Sequence, residues 1–198
     1  EEFRPYEAEY KRLKGLELSE KDEKFFIDKC REYNVEPMTT LFSKQQVERF
    51  NRLGYSKLKL SGYSIPTFDY GKGLKEVKFD ELFFSTSSLT PSEIRRTVIN
   101  LNEMGIKFTM LQCTCKYPTK MEDAGLHNIR FIKENFKLES IGYSDHSNPW
   151  KDGLNIPKIA IFNGIDVLER HFTIASRQSG RLKSLLRFGH GSHRSYFF

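Results

Sequence analysis

The sequence predicts an α/β chain built on a parallel sheet, in the form of an incomplete (β/α)8 TIM barrel, and three features predict it. Apolar strand-like runs recur about every 20 to 31 residues, helical stretches fall between them, and small polar residues gather just after the runs. Strands separated by helices imply right-handed crossovers and parallel pairing. Polar side chains from many strands meeting at one mouth are what a barrel provides, whereas an open sheet concentrates them at one switch point. Six strands are counted where eight close a barrel, so about six of the eight β/α units are expected.

The elements follow in order. Ser19 is a good N-cap, Asp22 lies three residues on, and Phe26, Cys30 and Tyr33 repeat at helical spacing. Residues 35–42 read as a short strand. A helix over 44–53 ends at Gly54, where a left-handed C-cap is wanted, and 58–61 form the next strand. After a strand at 82–85, Thr90-Pro91-Ser92-Glu93 sets a cap, a proline in the first helical position and a glutamate three residues past the cap. The helix opened there carries Ile94, Val98, Leu101 and Met104 on one side and stops before Gly105; 107–112 then read as a buried strand. A helix over 121–136, a strand at 140–143, a helix over 154–162 weakened by Pro157 and a strand at 166–171 complete the alternation.

With 198 residues, 38% hydrophobic and 14% aromatic, the chain belongs with globular domains and not with disordered, collagenous or membrane chains. No apolar run approaches the roughly 20 residues that span a bilayer, and Glu1-Glu2-Phe3-Arg4 lacks the features of a signal peptide, so a cytoplasmic address is expected. The cysteines, Cys30, Cys113 and Cys115, are odd in number and are expected to be reduced thiols. The net charge of +6 is local: Arg170, Arg177, Arg181, Lys183, Arg187 and Arg194 fall in the last 29 residues, and the remaining 26 basic residues balance 26 acidic ones. The body of the chain therefore gives no reason to expect nucleic acid. Two regions are expected, a barrel over 1–173 and a basic tail over 174–198, disordered or foreign to the rest. A weaker reading has the tail, with Tyr196, Phe197 and Phe198, touch an anionic surface.

His146 and His171 follow successive predicted strands, so their rings can lie side by side at the mouth and hold a divalent metal. Each can equally be an ordinary histidine bonded to a neighbouring loop. Asp145 and Glu169 beside them read as supporting partners or as surface charges. Lys59, Ser85 and Ser144, on three strands, suit an oxyanion such as phosphate, although capping and turn chemistry explains most hydroxyls at strand ends. Cys113-Thr114-Cys115 lacks a second cysteine pair at zinc spacing, and His127 reads as structural or exposed. No P-loop, dinucleotide glycine fingerprint, Gly-x-Ser-x-Gly elbow or His-Glu-x-x-His helix occurs.

Several segments carry a family resemblance: Thr39-Thr40-Leu41-Phe42-Ser43, Phe84-Ser85-Thr86, Cys113-Thr114 with Tyr117-Pro118-Thr119, Gly142-Tyr143-Ser144-Asp145-His146 and Glu169-Arg170-His171-Phe172. In this order they resemble the catalytic barrel of the sialic acid synthases, also called N-acetylneuraminate synthases, over roughly residues 15–173. The resemblance implies a metal-dependent condensation of phosphoenolpyruvate with an N-acylmannosamine-type sugar, giving a nonulosonic acid and phosphate. It implies His146 and His171 as ligands of Mn2+ or Mg2+. It implies Lys59, Ser85 and Ser144 as phosphoenolpyruvate contacts, Thr40, Thr114 and Cys115 as substrate-pocket residues, and Tyr117 as a catalytic side chain.

The chain also departs from the family pattern. Two family strands that precede the first one here are not found. Tyr63 follows Ser61-Gly62 where the family has a carboxylate, Cys115 stands where Asn or Ser is usual, and the residues past about Ile174 do not resemble the family. The expectation is therefore a chain truncated at both ends, working as a homodimer or with a complementing chain. The alternative, from another class, is an inactive remnant that serves as a binding or assembly element.

Overall fold

The computed structural model describes residues 6–65, 73–152, 154–171 and 196–197. Helices α1 (Tyr6–Lys14) and α2 (Glu20–Glu32) lead into β1 (Glu36–Leu41), α3 (Val47–Leu53) and β2 (Lys57–Leu60). Then follow β3 (Glu81–Ser85), α4 (Pro91–Glu103), β4 (Phe108–Cys113), α5 (His127–Phe136) and β5 (Ile141–Asp145). The short α6 (Pro149–Asp152), α7 (Asn155–Phe162), β6 (Val167–Arg170) and the two-residue β7 (Tyr196–Phe197) complete the order. All pairings are parallel, in the order β6-β5-β4-β3-β2-β1-β7. The first six strands lie in strict sequence, as right-handed parallel crossovers give; between β2 and β3 the described residues hold a 3-10 turn (Leu74–Glu76) and no α-helix.

These six strands form a curled half-barrel. Lys59 on β2 and Glu169 on β6 form an ion pair although three strands lie between them. At about 4.8 Å per strand a flat sheet would hold them about 19 Å apart. Only a sheet rolled about this face brings them together.

Register sorts the side chains into two faces. Thr40, Lys59, Phe83 and Thr109 are paired across successive strands, as are Ser85, Leu111, Gly142 and Val167, and then Cys113, Ser144 and Glu169. Parallel partners share a face, so all of these look into the curl. Its floor is apolar, with Met38, Phe83 and Leu111 buried and Val167 against them. The convex face carries Leu58, Leu60, Leu82, Phe84, Met110, Ile141 and Leu168 against Ile27, Phe50, Leu101, Ile129 and Ile156 of the helices. Burial on both faces is why the strands read as apolar runs without alternation. Each such side chain contributes about 1.5–3 kcal/mol.

Local signals act as expected at most ends. Ser19 accepts from the Asp22 N–H, Thr90 and Glu93 form the reciprocal capping box with Pro91 at the first helical position, and Gly54 takes a left-handed φ of 75°. Two elements differ. The stretch 121–136 is a short 3-10 turn (Met121–Asp123) followed by α5, because Gly125, at φ 64°, breaks the helix. Tyr33 is exposed and not on the core face of α2, since it sits just past the last helical residue; Ile27 and Cys30 are buried instead. Pro157 is tolerated because it falls in the first turn of α7, where an N–H has no helical partner. Cys30, Cys113 and Cys115 are free. Among the described residues no helix is long and apolar enough to cross a membrane. The basic tail, apart from Tyr196–Phe197, lies outside the described residues.

Candidate active site

The C-terminal ends of β2 to β6 open onto one side of the curl, and the alternation of each strand decides what stands there. On β6 the inward residue Glu169 is followed two residues later by His171; on β5 Ser144 is followed by His146; on β4 Cys113 faces in below Thr114–Tyr117.

The histidines meet. Their ring centroids are 5.3 Å apart, and the Tyr117 ring stacks on His146 at 4.0 Å and meets His171 edge-on at 5.5 Å. His146 Nδ1 lies 2.9 Å from the Thr114 carbonyl oxygen, which can only accept, so the Nδ1–H is the donor. The Nε2 of the neutral ring then carries a lone pair, and it accepts from the Tyr117 hydroxyl at 2.9 Å. Ser144 Oγ stands 3.5 Å from the same nitrogen and Cys113 Sγ 3.9 Å from Nδ1.

The ionisable groups answer to this packing. Burial pushes the His146 pKa down and the neighbouring His171 adds to that, against the pull of the Thr114 carbonyl; the ring is held neutral. Burial pushes the Cys113 thiol up. Tyr117 is 63% exposed as a residue, yet its hydroxyl end turns into the cluster, where burial and the thiols of Cys113 and Cys115 push the phenol up. For Glu169, burial alone would raise the carboxyl. The Lys59 ammonium and the Ser144 hydroxyl outweigh it and hold Glu169 below its ordinary value. Its second oxygen, Oε2, is buried with no hydrogen-bond partner.

The residues singled out in the sequence fall as follows. Lys59, Ser85, Ser144, His146, His171 and Tyr117 face one concavity, and Thr40 pairs in register with Lys59 on its rim. Ser85 Oγ accepts from the Gly62 N–H at 3.0 Å and shares a 3.0 Å bond with Ser87. Thr114 differs: its hydroxyl donates to the Asp123 carbonyl at 2.8 Å, and only its backbone touches the site. Cys115 is exposed past the strand end. Two contributors are not among the assigned site residues: Cys113 reads in the sequence as part of a weak cysteine triplet, and Glu169 as a supporting partner or surface charge. Each lies two residues before another candidate, Cys115 and His171, and that spacing alone puts Glu169 on the face of His171.

Two of the side chains at the mouth are of a kind that ligates divalent cations. Two imidazoles face each other, one has its Nδ1–H fixed on a carbonyl so that its Nε2 carries the lone pair, to which the Tyr117 hydroxyl donates, and a carboxylate oxygen without a hydrogen-bond partner lies on the same face. Among the described residues no group of three or more His, Cys, Asp or Glu side chains is arranged to hold a metal ion, so the two imidazoles stand without a third protein ligand. Two imidazoles are one fewer than the three protein ligands usual in a catalytic metal site, the remaining positions falling to water or substrate.

The NeuB family model matches residues 2–184. The chain is 29% identical over 172 residues to the N,N'-diacetyllegionaminic acid synthase of Legionella pneumophila, covering 84% of this chain and 47% of that protein. With the enzyme of the same name from Campylobacter jejuni it shares 29% identity over 177 residues, covering 88% of this chain and 51% of that protein. It thus spans about half the length of these curated relatives. The crystal structure of N-acetylneuraminic acid (sialic acid) synthetase from Leptospira borgpetersenii in complex with citrate superimposes with a TM-score of 0.78 at 24% identity, over 87% of this chain and 59% of that one, a likeness of fold.

Proposed function

The chain belongs to the NeuB family, and on that premise we propose that it carries the catalytic face of a nonulosonic acid synthase, with its curled sheet forming six of the eight β/α units of a TIM barrel. The reaction joins C3 of phosphoenolpyruvate to the aldehyde carbon of an N-acylmannosamine-type sugar, water adds at C2, and inorganic phosphate leaves.

The observation that carries this reading is the facing pair His146 and His171, 5.3 Å apart at the ends of adjacent parallel strands. They would hold Mn2+ or Mg2+, whose chemistry when bound is to polarise the sugar carbonyl. Lys59, Ser85 and Ser144 supply the cation and hydroxyl donors that phosphoenolpyruvate oxygens need. The Tyr117 hydroxyl, 2.9 Å from His146 Nε2, would hydrogen-bond a sugar oxygen beside the histidines. The apolar floor of Met38, Phe83 and Leu111 keeps water from entering below. The free thiols agree with a cytoplasmic setting.

Phosphate release from phosphoenolpyruvate, measured with and without sugar and with Mn2+ or a chelator, tests the reading. Release that requires both sugar and metal, and falls at least 100-fold in a His146→Ala, His171→Ala variant, is expected. No release under any condition would leave the chain as a binding or assembly element.

A further inference from the structure

We propose that the buried ion pair of Asp145 and Arg170, on the opposite face of the sheet from the histidines, is the positioning element that sets how His146 and His171 face each other. The inference rests on the reading of these histidines as the metal site.

Asp145 and Arg170 immediately precede the two histidines and are register partners, the last rung between β5 and β6. Their neighbours Ser144 and Glu169 look into the curl, so these two look out, under the helices, where no substrate reaches. The side chains are 0% and 2% exposed for Asp145 and Arg170, with Arg170 Nε 2.7 Å from Asp145 Oδ2 as an ion pair that lacks hydrogen-bond alignment. Asp145 also grips the far side of His146. Its Oδ1 accepts from the Ser147 N–H at 2.9 Å and its Oδ2 from the Ser147 hydroxyl at 3.0 Å. Arg170 leans on the same residue through a long 3.5 Å contact to the Ser147 carbonyl. The Thr119 N–H donates to the His146 carbonyl at 3.0 Å, so the histidine's backbone is held before, at and after it. One charge pair thus ties the residue before His171 to both residues flanking His146.

A buried pair of this kind is an uneconomical way to stabilise a core, because apolar side chains of similar volume at such positions are often neutral or better. What apolar residues would not reproduce is the fixed angle between the two strand ends. Residues that orient metal-binding histidines from behind typically change metal affinity by about 10- to 100-fold when replaced.

The test uses two variants, Asp145→Leu with Arg170→Met, and Arg170→Lys alone, alongside His146→Ala with His171→Ala. Free Mn2+ is followed by electron paramagnetic resonance, folding by circular dichroism, and ring proximity by the nuclear Overhauser effect between the His146 and His171 imidazole protons without metal. The apolar pair is expected to unfold cooperatively near the wild-type temperature, bind Mn2+ about 10- to 100-fold more weakly, and lose the ring-to-ring effect. Arg170→Lys, which keeps the charge, should lie between the two. Wild-type Mn2+ affinity with an intact ring-to-ring effect in the apolar pair would overturn the proposal. If that variant does not fold, unchanged affinity and ring contact in Arg170→Lys would do so. If the wild-type chain binds no Mn2+, the metal-site reading fails, and the ring-to-ring effect alone decides whether the pair positions the histidines.

Discussion

Lys59 and Glu169 form an ion pair across the concave face although β3, β4 and β5 separate their strands. One contact therefore joins the two halves of the curl, and it lies directly below the paired histidines, since Glu169 precedes His171 by two residues on the same face. Closure of the sheet and shape of the site are here the same structural fact.

Replacing Glu169 removes the charge opposite Lys59 in a mostly buried position. Glu169→Gln is expected to cost about 3–5 kcal/mol at pH 7. The folded-state pKa of Glu169 is depressed, so its contribution is present above the unfolded carboxylate value of about 4.3 and is lost as pH falls through the folded value. The stability gap between wild type and Glu169→Gln, read from urea midpoints between pH 7 and pH 3, should narrow at the acid end. Parallel profiles would show that the carboxylate does not hold the curl.

Gly62 sits where β2 hands over to the site, and a Cβ built on it would lie 1.7 Å from the Ser87 carbonyl oxygen and 2.9 Å from that of Ser85. Backbone, not a flexible side chain, would have to move. Gly62→Ala should lower stability by about 1–3 kcal/mol and break the Gly62 N–H bond to Ser85. Thermal unfolding decides it: a melting temperature equal to wild type would mean the two loops are not in contact.

The three thiols should separate cleanly. Cys115 is exposed, whereas Cys30 and Cys113 are buried, and burial pushes both of their pKa values up. Iodoacetamide at pH 8 should modify Cys115 in the native chain and reach Cys30 and Cys113 only with denaturant. Peptide mapping that finds Cys113 labelled as fast as Cys115 would contradict a closed floor beneath the histidines.

Much of this fold is legible in the sequence because local and tertiary forces agree. The Thr90–Glu93 capping box and the Gly54 stop end their helices where expected, and strands buried on both faces announce themselves as apolar runs. The break at Gly125 is less legible, since a left-handed glycine inside a helical pattern reads as a weak helix until the Gln112 side chain is seen where a Cβ would stand, at 2.7 Å. The site is legible residue by residue and not as an assembly. His146, His171, Lys59 and Ser144 are identifiable from position, but the role of Glu169 depends on β6 curling toward β2, a relation between residues 110 apart that no local pattern records. Thr114 shows the reverse case: it stands at the mouth, but its hydroxyl donates to the Asp123 carbonyl and it is its own carbonyl that meets His146.

That carbonyl leads to the last prediction. With Nδ1–H donated to Thr114 at 2.9 Å, His146 must be the Nδ1–H tautomer, the minor one for free histidine, and its Nε2 must be unprotonated. Its folded pKa is depressed by burial, so protonation is disfavoured in the native state; stability tied to His146 is present above the unfolded value of about 6.5 and falls as pH drops below it. Nitrogen-15 spectra of the histidine side chains at pH 7.5 should show the unprotonated-Nε2 signature for His146, lasting to lower pH than in an unfolded control. The same ring would then bind Mn2+ at pH 7 with no proton to release. An Nε2–H tautomer would remove the lone pair that accepts from Tyr117 and that a two-imidazole site would need, and the facing histidines would have to be explained as packing alone.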